Sequence, residues 1–403
     1  MSFQPPKGTD DLSSPHSQAW REALSQWDDW SGRYGYPLVM TPMFESTDLF
    51  ERGVGDTTDV VTKQMYTFTD QGGRSITLRP EGTAGVVRAY LNSGSQGAWK
   101  GAYAGLYFRY ERPQAGRRRQ FFQLGVEYLD VAAPQADAEV VELGHRYLSA
   151  VGVPGLTLMI NSLGDPTCRP GYAEALRSHL KDRQDDLTDD SRALIDSNPM
   201  RVLDSKKDRD VIGEPPRMLD HLCAACSEHY ETVLKLLDDL GVSYAQDDRL
   251  VRGLDYYTRT AFEWVGGDLS TAQNAVGGGG RYDGLAESIG GRPTPGVGFA
   301  LGLDRIMLSV GNPEVVHLDA YLVSEVGSTS GLAAVSKLRE DGLRVDCDTE
   351  GRSVKAQFRS ARRVGVPVIL VWKGEGQLVD IQTEDGRAEV SLEEVARWFT
   401  EQG

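Results

Sequence analysis

Apolar positions along this chain change period several times, and each change marks an element. Trp20, Leu24, Trp27 and Tyr34 recur at helical spacing behind Ser13-Ser14-Pro15, a serine cap with proline in the first turn, and Gly35 and Pro37 end that helix. YPLVMTPMFES reads as a strand interrupted by Pro42, hence one at an edge or interface. MYTFTD, a QGG turn and SITLRPEGT predict a hairpin. Then come a helix over Ala84–Leu91, two long strands between Tyr103 and Asp130 joined by ERPQAGRRR, a helix over Pro134–Val151 and a short buried strand at Gly155–Asn161.

From Asp165 to about Gln246 the pattern turns helical, with an acidic patch, DRQDDLTDD, and a Pro-rich segment at Gly213–Pro216. Strand-like sequence resumes at Leu250 and Ala272–Val276, so this stretch reads as an insertion into a sheet. Gly277–Gly280 and Gly290–Gly291 punctuate the return, before a strand at Val297–Leu301 and a helix at Leu303–Val310. A boundary falls near Gly311-Asn312-Pro313. Beyond it the pattern runs strand (Ala320–Val323), helix (Gly331–Asp341), strand (Arg344–Cys347), helix (Val354–Gly365), strand (Val366–Trp372), two weaker strands and a last helix (Leu392–Phe399). The expectation is an α+β domain over residues 1–312, with its insertion at about 165–246, and a small α/β domain over 317–403.

Composition narrows the class. At 403 residues, 40% hydrophobic and 25% charged, the chain is not disordered throughout, and no apolar run reaches a membrane span. MSFQPPKGTDDL has no signal-peptide pattern, and Cys168, Cys223, Cys226 and Cys347 make no disulfide framework, so a reducing, cytoplasmic setting is expected. A net charge of −16 argues against sequence-blind nucleic-acid binding. Two segments depart from it: Arg109–Arg119 holds five arginines and one acid, and Arg352–Arg363 five cations and no acid. Each is equally a solvated face or a nucleic-acid surface.

Candidate chemistry gathers in three places. With period two, Arg109 and Glu111 share a face of one strand, and Phe121, Gln123, Gly125 and Glu127 a face of the next. Such a set demands a ligand or mutual pairing if buried, and an ordinary salt-bridged face if not. In RPEGT, Glu81 and Thr83 suit either an ammonium group or the cap of the next helix. LVRGLDYYTRTAFEW (Leu250–Trp264) sets Arg252 beside a glycine and before the Tyr256-Tyr257 pair. Gly277–Gly280 fits neither a P-loop nor a dinucleotide fingerprint. His221, Cys223, Cys226 and His229 suggest zinc superficially. On one helix, however, Cys223 and His229 would point about 120° apart, and only Cys168 is a nearby candidate for a further ligand, so no metal is expected.

These peptides resemble the histidyl-tRNA synthetases over nearly the whole chain, from PPKGTDDL through TPMFESTDLFERGVG, RPEGT, FRYERPQAGRRRQFFQLGVE, INSLGD and LVRGLDYY to RSVKAQFRSARRVGVPVILV. The resemblance implies a class II synthetase catalytic domain, mainly an antiparallel sheet flanked by helices, and an α/β anticodon-binding domain. It implies that Arg109 holds the α-phosphate of ATP, Glu111 reads the adenine amino group, Phe121 stacks on adenine and Arg305, in GVGFALGLDRIML, clamps ATP. Glu81, Gly82, Thr83 and Gln123 would bind the amino group of histidine; Glu127, Tyr256, Tyr257 and Tyr282 would surround its ring. Arg252 would contact both its carboxylate and the phosphate. It further implies Mg²⁺ on the phosphates, a homodimer formed around Leu38–Glu45, and tRNA contacts from Gln114, Arg117, Arg352, Lys355 and Arg359. The rivals are a synthetase-like regulatory subunit of a histidine-biosynthesis phosphoribosyltransferase, and another class IIa synthetase. The first typically lacks an intact LVRGLDYY peptide and the last domain; the second has no need of Glu127 with the tyrosine pair.

Overall fold

The stripe on the first helix, His16–Arg33 (α1), is buried as its spacing requires: Ala19, Ala23 and Trp27 face the core. The computed structural model describes all residues except 1–2, 15, 56–57, 59, 252–253, 255, 267–274, 312–317, 375–376 and 403. Pro15, Arg252, Gly253 and the residues around Asn312-Pro313 therefore lie outside the described residues. The chain divides into two units, Met1–Pro313 and Glu314–Gly403.

The strand expected around Pro42 shrinks to Phe44–Ser46 (β1), while Leu38 makes only an isolated bridge to Ala102. Pro42 has no N–H to give a ladder. The predicted hairpin forms as Tyr66–Thr69 (β2) and Ser75–Leu78 (β3), its turn closed by the Asp70 carboxylate, which accepts from the Gly72 and Arg74 N–H groups. Helices Thr47–Val54 (α2) and Thr83–Ser93 (α3) pack beside this small sheet, and α3 stops at Gly94, whose φ of 69° suits glycine.

Trp99–Phe108 (β4), Gln120–Leu129 (β5), Thr157–Ser162 (β6), Tyr244–Gln246 (β7), Thr258–Val265 (β8), Ala275–Arg281 (β9) and Gly296–Gly302 (β10) make the main sheet. Its order is β4-β5-β10-β9-β8-β6-β7, antiparallel at every step except the parallel edge pair β6–β7. Helix Pro134–Ala150 (α4) covers one face through Val140, Val141, Leu143 and Tyr147, which join Trp264 and Phe299 in the largest core. The four glycines read as punctuation are instead the body of β9. A side chain on Gly279 would collide with the backbone of Phe299 on β10, so only glycine permits that close approach.

The insertion is shorter than its sequence suggests. Arg169–Lys181 (α5), Asp189–Leu194 (α6), Pro199–Val202 (α7) and Arg209–Ile212 (α8) enclose a separate core of Tyr172, Leu176, Leu180, Val202 and Met218. The next helix, Ala224–Asp239 (α9), buries Tyr230, Val233 and Leu237 against α4 and the main sheet, and β7 completes that sheet. The apolar stripe of α9 therefore belongs to the core under the main sheet. Leu285–Ser288 (α10) and Leu303–Val310 (α11) complete the unit.

In the second unit Ala320–Ser324 (β11), Val345–Cys347 (β12) and Val368–Trp372 (β13) are parallel, and Leu378–Gln382 (β14) and Arg387–Ser391 (β15) add antiparallel strands, in the order β12-β11-β13-β14-β15. Ser328–Glu340 (α12), Val354–Val364 (α13) and Val395–Gln402 (α14) cover it. No described helix is long and apolar enough to cross a membrane.

Candidate active site

The main sheet carries a cleft with about 930 Å³ of empty space, floored by Gly277 and Gly278 of β9 and Ala300 and Gly302 of β10. Small residues there leave the sheet surface open to a flat ligand. Glu81, Thr83, Arg109, Glu111, Arg117, Phe121, Gln123, Tyr256, Tyr257 and Arg305 all line it. Segments as far apart in the chain as Glu81 and Arg305 thus share one cleft.

One end is built around Glu127, which has no exposure. Its Oε1 accepts from the Thr83 hydroxyl at 2.7 Å and the Tyr103 hydroxyl at 3.3 Å; its Oε2 accepts from Tyr282. Burial pushes its pKa up to about 8, against the pull of those hydroxyls. Glu127 and Tyr282 lie beneath the cleft rather than on its wall, while Thr83 and Tyr256 are exposed to it. Register explains the space for this carboxyl: Gly298 stands opposite Glu127, and a Cβ there would strike the carboxylate. Gly82 serves a similar purpose, since its Cβ would meet the Tyr103 ring at 2.6 Å. Tyr256 packs on Tyr257 with centroids 4.6 Å apart and edge-on to Tyr282 at 5.6 Å. The Glu81 carboxylate accepts from the N–H groups of Thr83 and Ala84 at 2.7 and 2.9 Å, which is the helix-capping reading of RPEGT, while the residue also faces the cleft. Gln123 Oε1 is buried with no hydrogen-bond partner among the described residues.

The other end is cationic. β4 stops at Phe108, so Arg109 and Glu111 do not share a strand face; they stand on the loop that follows and reach the cleft from there. The period-two argument fails because the ladder ends one residue early, with Arg109 N–H donating once more to Arg119 O at 2.9 Å. The Arg109 guanidinium donates to Pro80 O at 2.8 Å and lies 5.4 Å over the Phe121 ring. Burial lowers its pKa, and Glu111 and Glu81 act to raise it. Arg305 donates to Gly116 O and Ala275 O at 3.1 and 2.8 Å. Glu111 Oε2 sits 3.5 Å from Arg117 Nε, and both atoms are buried without a hydrogen bond. Gln114 and Arg117 close a tight turn by donating to each other's carbonyls at 3.1 and 2.9 Å. This turn directs Arg117 into the cleft, whereas Gln114 does not line it.

Sequence reasoning overlooked Glu263, Arg118, Asp304 and Tyr103. Glu263 and Arg118 line the cleft; Asp304 also lines it and accepts from Phe122 N–H at 2.9 Å, tying α11 to β5. An acid in the apolar strand TRTAFEWV was the one local signal; the others carried none.

In the second unit, Lys355 and Arg359 are exposed on α13, whose inner face holds Gln357, Ser360 and Ala361. Arg352 differs, because its guanidinium is engaged by Asp348, an acid just ahead of the basic segment. The His/Cys group is not on one helix either. His221 ends a short 3₁₀ turn and packs on Tyr172, Cys223 caps α9, and His229 meets Asp137 at 3.2 Å beside buried Arg281.

A family model described as histidyl-tRNA synthetase matches residues 8–306, and one described as an anticodon-binding domain matches residues 331–402. A histidine–tRNA ligase of Halothermothrix orenii is 44% identical, covering 97% of this chain and 94% of the relative. The apo histidyl-tRNA synthetase of S. aureus superposes with a TM-score of 0.78 at 35% identity, over 99% of this chain and 100% of that one. An ATP phosphoribosyltransferase regulatory subunit/histidyl-tRNA synthetase of Bacillus halodurans is similar in fold alone, with a TM-score of 0.64 at 21% identity over 88% of this chain and 96% of that one.

Proposed function

The chain belongs to the histidyl-tRNA synthetase family, and from that premise we propose how its cleft works as a histidine–tRNA ligase. The observation that carries the reading is the buried Glu127 carboxyl, wired to three hydroxyls at the foot of a cleft whose other end is lined by arginines. Histidine takes the Glu127 end. Its ring is read by Glu127, Tyr256, Tyr257 and Tyr282, and its ammonium by Glu81, Thr83 and Gln123, whose free Oε1 is an acceptor for it. An apolar amino acid would leave these polar groups unmatched, which is a strong basis for rejection.

ATP takes the cationic end, with Arg109 on the α-phosphate, Phe121 and Arg305 holding adenine between them and Glu111 on its amino group. A histidine carboxylate oxygen attacks the α-phosphorus; the new P–O bond forms as the bond to pyrophosphate breaks, leaving histidyl-adenylate. Arg109, with Arg252 acting on both carboxylate and phosphate, offsets the charge that develops. A hydroxyl of the terminal adenosine of the tRNA then displaces AMP. Mg²⁺ prefers a few carboxylates plus substrate phosphates; the cleft-lining carboxylate of Glu263 fits that donor set. Bound there, the ion would neutralise phosphate charge.

The tRNA would meet Gln114 and Arg117 at its acceptor end and Lys355, Arg359 and Arg352 at its anticodon, the last through a charge shared with Asp348. The exposed Leu38, Met40, Met43 and Phe44 support a homodimer through this segment. Free cysteines support a reducing, cytoplasmic setting. The experiment is amino-acid-dependent ATP–pyrophosphate exchange with each of the twenty amino acids. Exchange with histidine alone is expected; a folded protein that exchanges with none would overturn the reading and put the regulatory subunit in its place.

A further inference from the structure

Three of the four cysteines meet outside the lining of the catalytic cleft. Cys168, Cys223, Cys226 and Asp165 bring their three sulfurs and one carboxylate oxygen within 4.8 Å of one another. The four come from two short peptides, Asp165-Pro166-Thr167-Cys168 and Cys223-Ala224-Ala225-Cys226, each with two residues between its ligand groups. That is the spacing of a two-residue knuckle. Cys226 and Cys168 are 0% and 5% exposed, so no solvent competes for their sulfurs.

We propose that this cluster is a structural zinc site, with Asp165, Cys168, Cys223 and Cys226 as its four ligands. Zinc–sulfur bonds of about 2.3 Å imply tetrahedral edges of roughly 3.8 Å, so four atoms already within 4.8 Å need only a small contraction around the ion. Three thiolates and one carboxylate form a donor set that suits Zn²⁺ and not Mg²⁺ or Ca²⁺. Two of the three sulfurs stand at helix N-termini. Cys168 and Cys223 sit at the N-termini of α5 and α9, where the helix dipoles are positive, and Arg259 comes within 3.9 Å of Asp165. The Cys223 N–H donates to Cys168 Sγ at 3.4 Å, an outer contact of the kind that orients a ligand.

The position gives the ion a purpose. Arg169, next after Cys168, donates to Leu163 O and Tyr257 O, and the backbone of Arg259 pairs with Leu163 and Gly164. Zinc would thus pin the helical insertion to the start of β8, directly after the tyrosine pair.

The test uses untagged, full-length protein purified without chelator. One zinc per chain is expected by elemental analysis. The cysteine cluster is expected to resist a thiol reagent until the metal is stripped, and Co²⁺ replacement is expected to give a thiolate-to-metal absorption band with a tetrahedral d–d pattern. The Cys168→Ser/Cys223→Ser variant is expected to lose the metal. If it fails to fold, Asp165→Cys, which keeps four ligands, is expected to retain the metal and strengthen the cobalt band. Absence of zinc with freely reactive thiols, a disulfide among the three cysteines in reduced-handled protein, iron in place of zinc, or zinc retained by the double serine variant would each overturn the proposal.

Discussion

The two ends of the cleft are held in opposite ways. At the Glu127 end the protein satisfies itself: one carboxyl takes three hydroxyls and a glycine on the facing strand is kept bare to admit it. At the arginine end, Arg109 and Arg305 are anchored through backbone carbonyls, while Arg117 stands 3.5 Å from Glu111 and Arg118 3.5 Å from Asp304. A preformed hydrogen-bond network discriminates, because its polar groups are fixed in place before a ligand arrives. Cations fixed in place before the reaction stabilise charge that appears only during it. The proposed function therefore assigns selection and acceleration to separate ends of one cleft.

Substitutions should separate the two. Arg109→Ala is expected to lower histidine-dependent exchange by about 10³-fold, chiefly in kcat, measured by pyrophosphate exchange. A loss confined to histidine KM would break the division. Deleting the chain from Pro313 onward tests whether both ends are self-contained: aminoacylation should fall by about 10²-fold while exchange changes only a few-fold. Equal losses would assign the second unit a structural role in catalysis. Glu127→Gln is expected to lower kcat/KM for histidine by about 30-fold, with the KM for ATP unchanged, since disrupting one buried hydrogen-bond network costs about 2 kcal/mol.

Lys355→Glu with Arg359→Glu should raise the KM for tRNA by about 10-fold, and more at low salt, without touching exchange. The smallest effect is on stability. Glu127 holds its proton up to about pH 8 in the folded protein against 4.5 for a free glutamate. Between those values the unfolded chain has released a proton that the folded one keeps, so this contribution is full below pH 4.5 and lost as pH rises through 8. The ligand-free melting temperature should fall by about 5 °C across that interval from this group, and Glu127→Gln should flatten the slope.

Much of this was legible beforehand. Period two and period 3.6 located α1, α4, α11 and nearly every element of the second unit within a few residues, because burial of one face leaves its mark on a single strand or helix. The polar residues of RPEGT and of the strand from Phe121 to Glu127 announced a site for the same reason: their types are too costly to bury idly. Periodicity misled where a partner outside the element decided its form. The glycines of β9 looked like a loop until β10 lay against them, and α9 looked like part of the insertion until α4 claimed its stripe.

By itself, then, the order of residues determined which segments become helix or strand, that a second α/β unit follows the first, and which side chains have the chemistry for a polar cleft. Tertiary structure alone decided how those side chains are used. Glu127 finds its hydroxyls 44, 24 and 155 residues away, and Asp165 gathers thiols from both sides of the insertion. Local patterns record which face of an element is buried; the pairing of two faces depends on strand register and helix packing, which are set by the whole core at once.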